Sequence, residues 1–253
     1  MHIVSYNLFE GAQGNIPLLQ DFIRQQGIDA ICFQETNGWQ AGDPSQLEQT
    51  ATETGLKDHV FGDSNTRFKL ATLSRVPIIE SHVYTEGFWH SAIRTTIQDD
   101  GEALDVWNIH LNPEDEDSRL AEAAKLIDMI DSEVPAILMG DFNSLSEHDQ
   151  YPDNLAETLV AQGIRKFGNG RLRFDVTNFF VEHGLVDLAA TLGTASTTVP
   201  TPANTDMFHA TKMRLDYMFA TKSVAQKVQE FETPKDALTD AISDHYPIVA
   251  TLV

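Results

Sequence analysis

Four apolar, strand-like runs of this sequence each end in polar residues of the kind that bind cations or phosphates. These residues are Asn7, Gln34 with Glu35, His110 with Asn112, and Asp141 with Asn143. Asp141 and Asn143 follow the apolar run 136–139, and side chains two residues apart on an extended chain point to the same side. The repeated placement of polar residues at strand ends predicts that these ends meet at one edge of a sheet.

The spacing of apolar residues predicts ten strands and three well-defined helices. The predicted strands are residues 2–7, 29–34, 70–75, 78–84, 92–98, 104–111, 136–139, 215–220, 224–231 and 246–252. The predicted helices are residues 16–26, 45–54 and 118–130, with a helical pattern over 145–192 and a loop over 194–204. Ser45, with Glu48 three residues later, indicates a capped helix start. Asp99-Asp100-Gly101 indicates a hairpin.

This order of elements predicts an α/β (α+β) fold. We expect a four-layered α/β sandwich, in which two packed mixed β-sheets are flanked by helices. The 253 residues, 42% of them apolar, are enough for one large core. We therefore expect residues 1–253 to form a single domain.

The charge and the cysteine content limit the function classes. The chain has 38 acidic and 17 basic residues, a net charge of −21, which disfavours proteins that bind long duplex nucleic acid through phosphate contacts. Cys32 is the only cysteine and lies in an apolar run, so we expect a buried thiol and no intramolecular disulfide.

The chain opens on strand-like residues, and no apolar run approaches the length of a membrane span. We expect a cytoplasmic protein with no membrane span, while a leader cleaved earlier stays an open alternative. No obligate protein partner is indicated.

The acidic residues near the strand ends indicate a hard cation. If Glu35, Asp141, Asp216 and Asp244 converge, each close pair of carboxylates repels by ~4 kcal/mol at a separation of about 4 Å and an effective dielectric near 20. Such a cluster is stable only around a cation or with bound protons. Oxygen ligands, with no cysteine pair and no His-x-x-x-His pair, favour Mg²⁺, with Mn²⁺ as the alternative, over zinc.

Six short motifs occur in an order that resembles the endonuclease/exonuclease/phosphatase superfamily. They are residues 5–8 (Ser-Tyr-Asn-Leu), 34–35 (Gln-Glu), 108–111 (Asn-Ile-His-Leu), 140–143 (Gly-Asp-Phe-Asn), 214–217 (Arg-Leu-Asp-Tyr) and 243–245 (Ser-Asp-His). The resemblance runs from about residue 3 to residue 252. This superfamily contains deoxyribonuclease-I-like nucleases, abasic-site endonucleases, inositol-polyphosphate 5-phosphatases and neutral sphingomyelinases.

The resemblance implies roles for eight residues. It implies that the metal is held by Glu35, Asn7 and Asp244. It implies that the residues acting on the phosphoryl group are Asp141, Asn143, His110, His245 and Asp216. Asp141 would orient or deprotonate the attacking water, and Asp216 would hold the imidazole of His245 in its charged form.

Substrate contacts are less sharply indicated. The candidates are Asn112, Arg94, Arg119 and Trp89. Arg94 on a strand more often pairs with a carboxylate, and Arg119 also fits as the start of a helix. The segment 165–173 carries four positive charges and is either a phosphate guide or a solvated loop. Histidines without motif neighbours, His209 among them, are expected to be ordinary, and His90 borders the pocket or fills the core.

Together these features predict a Mg²⁺-dependent phosphoester hydrolase that works by in-line attack of water. A phosphodiesterase or nuclease acting on nucleic acid, a nucleotide or a phospholipid headgroup comes first. The alternatives are a phosphomonoesterase of the same superfamily and a catalytically silent binding module. The expected partner is a phosphorylated small molecule, a lipid or a nucleic acid that serves as substrate.

Overall fold

Short apolar runs separated by turn residues form two six-stranded sheets. A computed structural model describes residues 1–12, 14–99, 101–131 and 133–253. The strands are β1 (His2–Asn7), β2 (Ala30–Gln34), β3 (Asp58–Gly62), β4 (Leu70–Ser74), β5 (Ile78–Tyr84), β6 (Ala92–Asp99), β7 (Glu102–His110), β8 (Ala136–Asp141), β9 (Val186–Asp187), β10 (Asp216–Ala220), β11 (Val228–Glu232) and β12 (Ile248–Leu252).

Helices connect these strands. They are α1 (Phe9–Ala12), α2 (Ile16–Gln26), α3 (Gln46–Thr54), α4 (Glu116–Met129), α5 (Leu155–Ala161), α6 (Asp175–Glu182), α7 (Leu188–Leu192), α8 (Lys222–Ala225) and α9 (Thr239–Ile242), with a 3₁₀ turn at Met207–His209. At α3 the side chain of Ser45 accepts the backbone N–H of Glu48, and the Glu48 side chain accepts that of Ser45. The predicted capping box is confirmed.

Each sheet contains one parallel pair among antiparallel neighbours. The strand order is β11-β12-β1-β2-β4-β3 in the first sheet and β5-β6-β7-β8-β10-β9 in the second. β1 runs parallel to β2, and β7 runs parallel to β8. Asn7 therefore lies opposite Gln34, and His110 lies opposite Asp141, so both parallel pairs bring their polar ends together.

The layers follow from which face of each sheet is covered. One buried cluster joins the facing sides of the two sheets and includes Ile3, Cys32, Val106 and Met139. A second packs α2 and α3 on the first sheet, and a third packs α4 and α6 on the second. The predicted four-layered sandwich with two mixed sheets is confirmed, whereas the single domain over residues 1–253 stays a prediction. The buried Cys32 thiol is also confirmed, and burial raises its pKa to about 12.

Three local predictions were wrong or lie beyond the description. The predicted strand 224–231 begins as helix α8, and β11 starts only at Val228. The edge strand β3 was missed because only its last residue is buried and its residues lack apolar alternation. The hairpin residues 99–101 include position 100, which lies outside the described residues, although Asp99 of β6 and Glu102 of β7 are paired. No helix among the described residues is long and apolar enough to cross a membrane.

A buried amide links the two sheets near the polar strand ends. Asn108 on β7 is fully buried and donates from Nδ2 to the backbone oxygens of Phe33 (3.1 Å) and Ala71 (2.9 Å). Its Oδ1 accepts the Nε2 of Gln34 at 2.8 Å. One side chain of the second sheet thereby satisfies polar groups on β2 and β4 of the first sheet. This arrangement fixes how the sheets lie against each other.

Replacing Asn108 by leucine is expected to destabilise the protein. Leucine keeps the branching but removes the hydrogen bonds to Gln34, Phe33 and Ala71, and a longer one to Thr72, in a site without water access. This loss costs about 3 kcal/mol in the free energy of unfolding. Urea unfolding followed by circular dichroism measures this loss. The matched control is Thr95→Val, which removes one buried bond within the second sheet, to Val106, and is expected to cost about 1 kcal/mol. Equal losses in the two variants would contradict the cross-sheet role.

Gly140 lets β7 and β8 approach closely just before Asp141. Its φ is +152°, and a Cβ there would lie 1.8 Å from the backbone oxygen of Ile109. A side chain at this position would therefore push the two strands apart.

We expect Gly140→Ala to cost at least about 3 kcal/mol of unfolding free energy, because the clash is with backbone and cannot be relieved by a rotamer change. The control is Gly27→Ala at the end of α2, where φ is +61° and no neighbouring atom lies within 4 Å of the place that a Cβ would take. That variant carries only the left-handed strain of about 1 kcal/mol. Chemical denaturation of both variants separates the effect of the clash from that of the backbone strain. Similar denaturation midpoints for the two variants would refute the predicted clash at Gly140.

Candidate active site

The polar strand ends form one wall of a cavity of about 400 Å³. The polar residues that line it include Glu35, His110, Asp141, Asn143, Lys166 and His209. Glu35 follows β2, while His110 and Asp141 end the neighbouring strands β7 and β8. The predicted meeting of strand ends is therefore found, and loops supply the rest of the wall.

Two of these residues have left-handed backbone conformations. Glu35 has a φ of 59° and Asn143 a φ of 51°. Residues other than glycine rarely adopt the left-handed backbone conformation, and such strain concentrates at functional sites. In both cases the conformation comes where the strand ends.

Glu35 is held by amide groups alone. Its Oε2 accepts the backbone N–H of Glu10 at 3.1 Å, and its Oε1 lies 3.4 Å from Nδ2 of Asn7. Burial raises the pKa of Glu35 to about 7, and the nearby carboxylates of Asp244 and Asp141 add to the effect. Loss of water thus makes the ionised form costly unless a cation is nearby.

Asn7 bridges two carboxylates. Besides facing Glu35, its Nδ2 donates to Oδ2 of Asp141 at 3.0 Å, and its Oδ1 accepts the backbone N–H of Phe9 at 3.0 Å. The amide nitrogen therefore faces the site, and the amide oxygen is used by the chain. In this orientation Asn7 offers a hydrogen-bond donor to the site and no ligand oxygen.

Asp141 lies at the centre of the polar groups. Its Oδ1 accepts the backbone N–H of Asn143 at 2.8 Å. Its Oδ2 lies 3.5 Å from Nε2 of His110 and 3.9 Å from Nε2 of His245. The carboxylate is thus oriented by fixed donors and faces two imidazoles.

His245 and Asp216 form a buried pair. The Nδ1 of His245 donates to Oδ2 of Asp216 at 2.7 Å, and both side chains are 1% exposed. Burial alone would lower the pKa of His245, but Asp216, Asp244 and Asp141 together raise it to about 10. The ring is therefore an imidazolium at neutral pH. Its Nε2 has no hydrogen-bond partner among the described residues.

His110 is neutral, in contrast to His245. Burial, together with the positive charges of His245 and Lys166, lowers the pKa of His110 to about 3. Its ring stacks on that of His90, with centroids 4.2 Å apart. Nδ1 of His90 bonds to Oγ1 of Thr66 at 2.6 Å, so the stack is anchored to the loop before β4.

A lysine and a further histidine complete the wall. Nζ of Lys166 lies 3.1 Å from Oδ1 of Asn143 and 3.2 Å from Nε2 of His209. Nδ1 of His209 lies 3.2 Å from Oδ2 of Asp244. An ammonium only donates, so Nε2 of His209 accepts and its Nδ1–H points to Asp244. Both ring nitrogens of His209 are therefore in use.

Three of the four candidate substrate contacts face partners elsewhere, and the fourth is exposed. Arg94 bonds to Asp105 across the strand pair at 2.8 Å. Arg119 is fully buried and pairs with Glu116 at 2.9 Å, and it also donates to the backbone oxygen of Asn112.

The side chain of Asn112 accepts the backbone N–H of Glu114 at 2.7 Å. Trp89 is 45% exposed, and neither residue lines the cavity. Each of these side chains is held by a local partner or by solvent, and the sequence gives no sign of which partner it meets.

The sequence predicts no site role for His209. It places Lys166 only within the basic segment 165–173 and leaves two alternatives open for His90. His209 has no motif around it and reaches the site through a 3₁₀ turn. Lys166 lies in the basic segment 165–173, but the segment is divided, because Arg173 pairs with Asp117 at 2.7 Å and with Asp175 at 2.6 Å. The position after the Gly-Asp-Phe-Asn motif was the one available signal.

The donor set fits a divalent cation. Glu35 is a half-buried carboxylate whose neighbours are amides, with no basic side chain at ion-pairing distance in the described part of the chain. His209, Asp244 and His245 form a buried group whose side-chain nitrogen and oxygen atoms all lie within 4.8 Å of one another. Because His245 is protonated and both ring nitrogens of His209 are hydrogen-bonded, Asp244 is the member of this group that offers a ligand atom. Carboxylate oxygens of this kind are the ligands that Mg²⁺ and Mn²⁺ prefer.

Solved structures share the fold. An AP endonuclease from Archaeoglobus fulgidus has a TM-score of 0.74 at 18% identity, with 100% of this chain and 99% of that chain covered. The 3′-5′ exonuclease NExo from Neisseria meningitidis has a TM-score of 0.73 at 17% identity with the same coverage. A Neisseria structure described as 3′ phosphatase NExo bound to product DNA hairpin gives a TM-score of 0.72 at 17% identity, again covering 100% and 99%.

Sequence comparison identifies the family. No curated protein matches the chain significantly. The model of the Endonuclease/Exonuclease/phosphatase family matches residues 4–245, which is nearly the whole chain and contains every polar strand end described above. Members of this family generally depend on a divalent metal. The chain belongs to the endonuclease/exonuclease/phosphatase family of phosphoester-hydrolysing enzymes.

Proposed function

We propose that this chain is a Mg²⁺-dependent phosphodiesterase, with Mn²⁺ as the alternative cation. The observation that carries the proposal is the position of Asp141, a buried carboxylate at a strand end, 3.9 Å from the unpartnered Nε2 of the His245 imidazolium. A base and a charged donor side by side suit proton transfer at phosphorus. The substrate is a nucleotide, the end of a single-stranded nucleic acid or a phospholipid headgroup.

The charge and size of the site support a small or terminal phosphodiester. The net charge of −21 repels a long polyanion, and a cavity of about 400 Å³ accommodates only a small part of one. NExo, whose fold this chain shares, is described as a 3′-5′ exonuclease and as a 3′ phosphatase, and both descriptions refer to the 3′ end of a nucleic acid.

Glu35 and Asp244 would hold the cation. When bound, it polarises the phosphoryl group and stabilises developing negative charge. Asn7 is assigned to orienting Glu35 and Asp141, because its amide nitrogen faces both.

The remaining residues carry out the in-line displacement. A water oxygen attacks phosphorus and its proton passes to Asp141. The bond to the leaving oxygen breaks with its electron pair remaining on that oxygen, which takes up a proton from solvent. The Nε2–H of His245 bonds to a non-bridging oxygen, and Nε2–H of neutral His110 donates alongside it. Asp216 keeps the proton on Nδ1 of His245 and so preserves the charge of the ring.

A phosphomonoesterase is the second candidate, because Lys166 adds a positive charge beside Asn143 that suits a dianion. The ratio of kcat/KM for p-nitrophenyl phosphate to that for bis-p-nitrophenyl phosphate at saturating Mg²⁺ decides between the two. A catalytically silent binding module would hydrolyse neither compound, and the double variant Glu35→Ala/His245→Ala would match the wild type. The retention of Glu35, Asp141, Asp216 and His245 disfavours that alternative.

Asp141→Asn is expected to abolish turnover and to spare the fold. The amide is nearly isosteric but accepts no proton from water, and loss of a general base typically costs about 10²- to 10⁴-fold in rate. The measurement is kcat for bis-p-nitrophenyl phosphate with Mg²⁺, alongside thermal unfolding. Asp128→Asn on the exposed face of α4 is the matched control and is expected to keep the wild-type rate. A wild-type kcat in Asp141→Asn would reject the role of Asp141.

Asp216→Asn is expected to act only through His245. An amide beside Nδ1 no longer fixes the charged ring, so kcat falls by about 10- to 100-fold, less than in His245→Gln. The decisive measurement is a double-mutant cycle, in which the double variant loses no more rate than His245→Gln alone. Multiplicative losses would show that Asp216 acts independently, and the pairing would then be unrelated to catalysis.

A further inference from the structure

We propose that Lys166 is a catalytic residue whose ammonium group binds a non-bridging oxygen of the phosphoryl group next to Asp141. The inference rests on the proposed function and extends it to a residue outside the six sequence motifs. Four features of the structure carry it: the position of Nζ, its partners, the anchoring of its backbone, and the fate of the other basic residues in its segment.

The ammonium of Lys166 is placed in the wall of the site. The residue is half-buried and lines the same cavity as Glu35 and Asp141. Two of its three N–H groups are used by Oδ1 of Asn143 and Nε2 of His209. One donor is left for a ligand.

Lys166 has no carboxylate partner. Among the described residues, no aspartate or glutamate oxygen lies within 4.0 Å of its Nζ, although the chain carries 38 acidic residues. Its contacts are with neutral acceptors, which orient the ammonium without neutralising it. A half-buried cation held in this way is suited to bind an anion that arrives from outside.

A buried ion pair anchors the backbone of Lys166. Nη2 of Arg119 donates to the backbone oxygen of Lys166 and to Oε2 of Glu116. Glu116 in turn accepts the hydroxyl of Ser144 at 2.8 Å and the backbone N–H of Val176 at 3.1 Å. Arg119 therefore acts as a positioning residue, and its network holds the loop of Lys166 against the strand end that carries Asp141.

His209 fixes the direction of the ammonium. Its Nδ1–H is directed to Asp244, so Nε2 is available only as an acceptor for Lys166. Side-chain hydrogen bonds thus run without a break along the wall of the site, from Asp244 through His209 and Lys166 to Asn143. Such a chain pre-orients the cation, so little reorganisation is needed when charge develops at phosphorus.

The other basic residues of segment 165–173 lack the anchored position of Lys166. Arg173 is neutralised by Asp117 and Asp175, Arg171 is exposed, and Arg165 lines the same cavity with an exposed side chain. Burial lowers the pKa of Lys166 to about 8, so the side chain remains protonated at neutral pH. A second cation therefore stands opposite the substrate in addition to His245.

The test compares Lys166→Met, which keeps the chain length and removes the charge, with Lys166→Arg, which keeps the charge. Lys57→Met removes the same charge from an exposed position between α3 and β3 and is the control. Two quantities are measured at saturating Mg²⁺: kcat and KM for bis-p-nitrophenyl phosphate, and the Kd of inorganic phosphate by isothermal titration calorimetry. The Kd of Mg²⁺ is measured as well.

We expect Lys166→Met to lower kcat by about 10²-fold, the typical effect of removing one donor to a developing oxyanion. The Kd of phosphate should rise at least about tenfold, the Kd of Mg²⁺ should stay equal or fall, and Lys166→Arg should retain most phosphate binding. Lys57→Met should match the wild type in every measurement.

Three results would overturn the proposal. They are wild-type phosphate affinity in Lys166→Met, equal losses of phosphate affinity in the Met and Arg variants, and a wild-type protein that binds no phosphate. If the wild type hydrolyses neither nitrophenyl ester, the phosphodiesterase assignment fails. The phosphate titration still decides the role of Lys166 in that case, because it requires no turnover.

Discussion

The relative position of the polar groups in the candidate active site depends on the hydrogen bonds that Asn108 makes across the interior of the sandwich. Gln34, which Asn108 contacts, immediately precedes Glu35, and His110 follows Asn108 by two residues. The amide therefore links the sheet that leads into Glu35, the proposed metal ligand, to the sheet that carries His110. Apolar packing between the sheets is non-directional and would allow one sheet to slide over the other. Sliding would, however, break the hydrogen bonds of Asn108 and leave a buried amide without partners, which is costly. The hydrogen bonds of Asn108 inside the apolar layer thus fix the position of one sheet relative to the other at the site.

The second constraint is that three buried carboxylates and one half-buried carboxylate lie in one region, and their hydrogen-bond partners differ. Asp216 has the imidazolium of His245, Asp244 has the Nδ1–H of His209, and Asp141 has an amide and a backbone N–H. Glu35 receives only amide donors, and burial, which removes water from the carboxylate, raises its pKa. In the described part of the chain, a histidine ring nitrogen lies within 4.0 Å of a carboxylate oxygen of Asp216, Asp244 and Asp141. No basic side chain of the described residues lies that close to Glu35, where a divalent cation would therefore add most to stability. The loss of water that raises the pKa of Glu35 would also favour a cation beside this carboxylate.

The strand-end groups were predictable because their placement depends on short-range rules. Alternation along a strand and parallel pairing are enough to bring Asp141 beside His110, and a capping box is readable from Ser45 and Glu48 alone. Arg94 and Arg119 were misplaced for the opposite reason, since the choice between a substrate and a carboxylate depends on which residue lies across the sheet or beneath the helix. Lys166 and His209 lie 43 positions apart on irregular segments, and no periodicity connects them.

Chemistry and selectivity are consequently separated in this molecule. The strand ends form a rigid floor, with Asp141 1% exposed, whereas the walls come from loops that include the exposed Phe208 (48%) and the anchored Lys166. A net charge of −21 acts on a polyanion at a distance, but its effect is screened within about 10 Å at 0.1 M salt. The cations His245 and Lys166 act only at contact. Repulsion near the acidic surface, combined with attraction inside the site, favours a ligand that carries its charge on one reachable phosphate. We therefore expect the loops, more than the strand-end groups, to decide which phosphoester is bound.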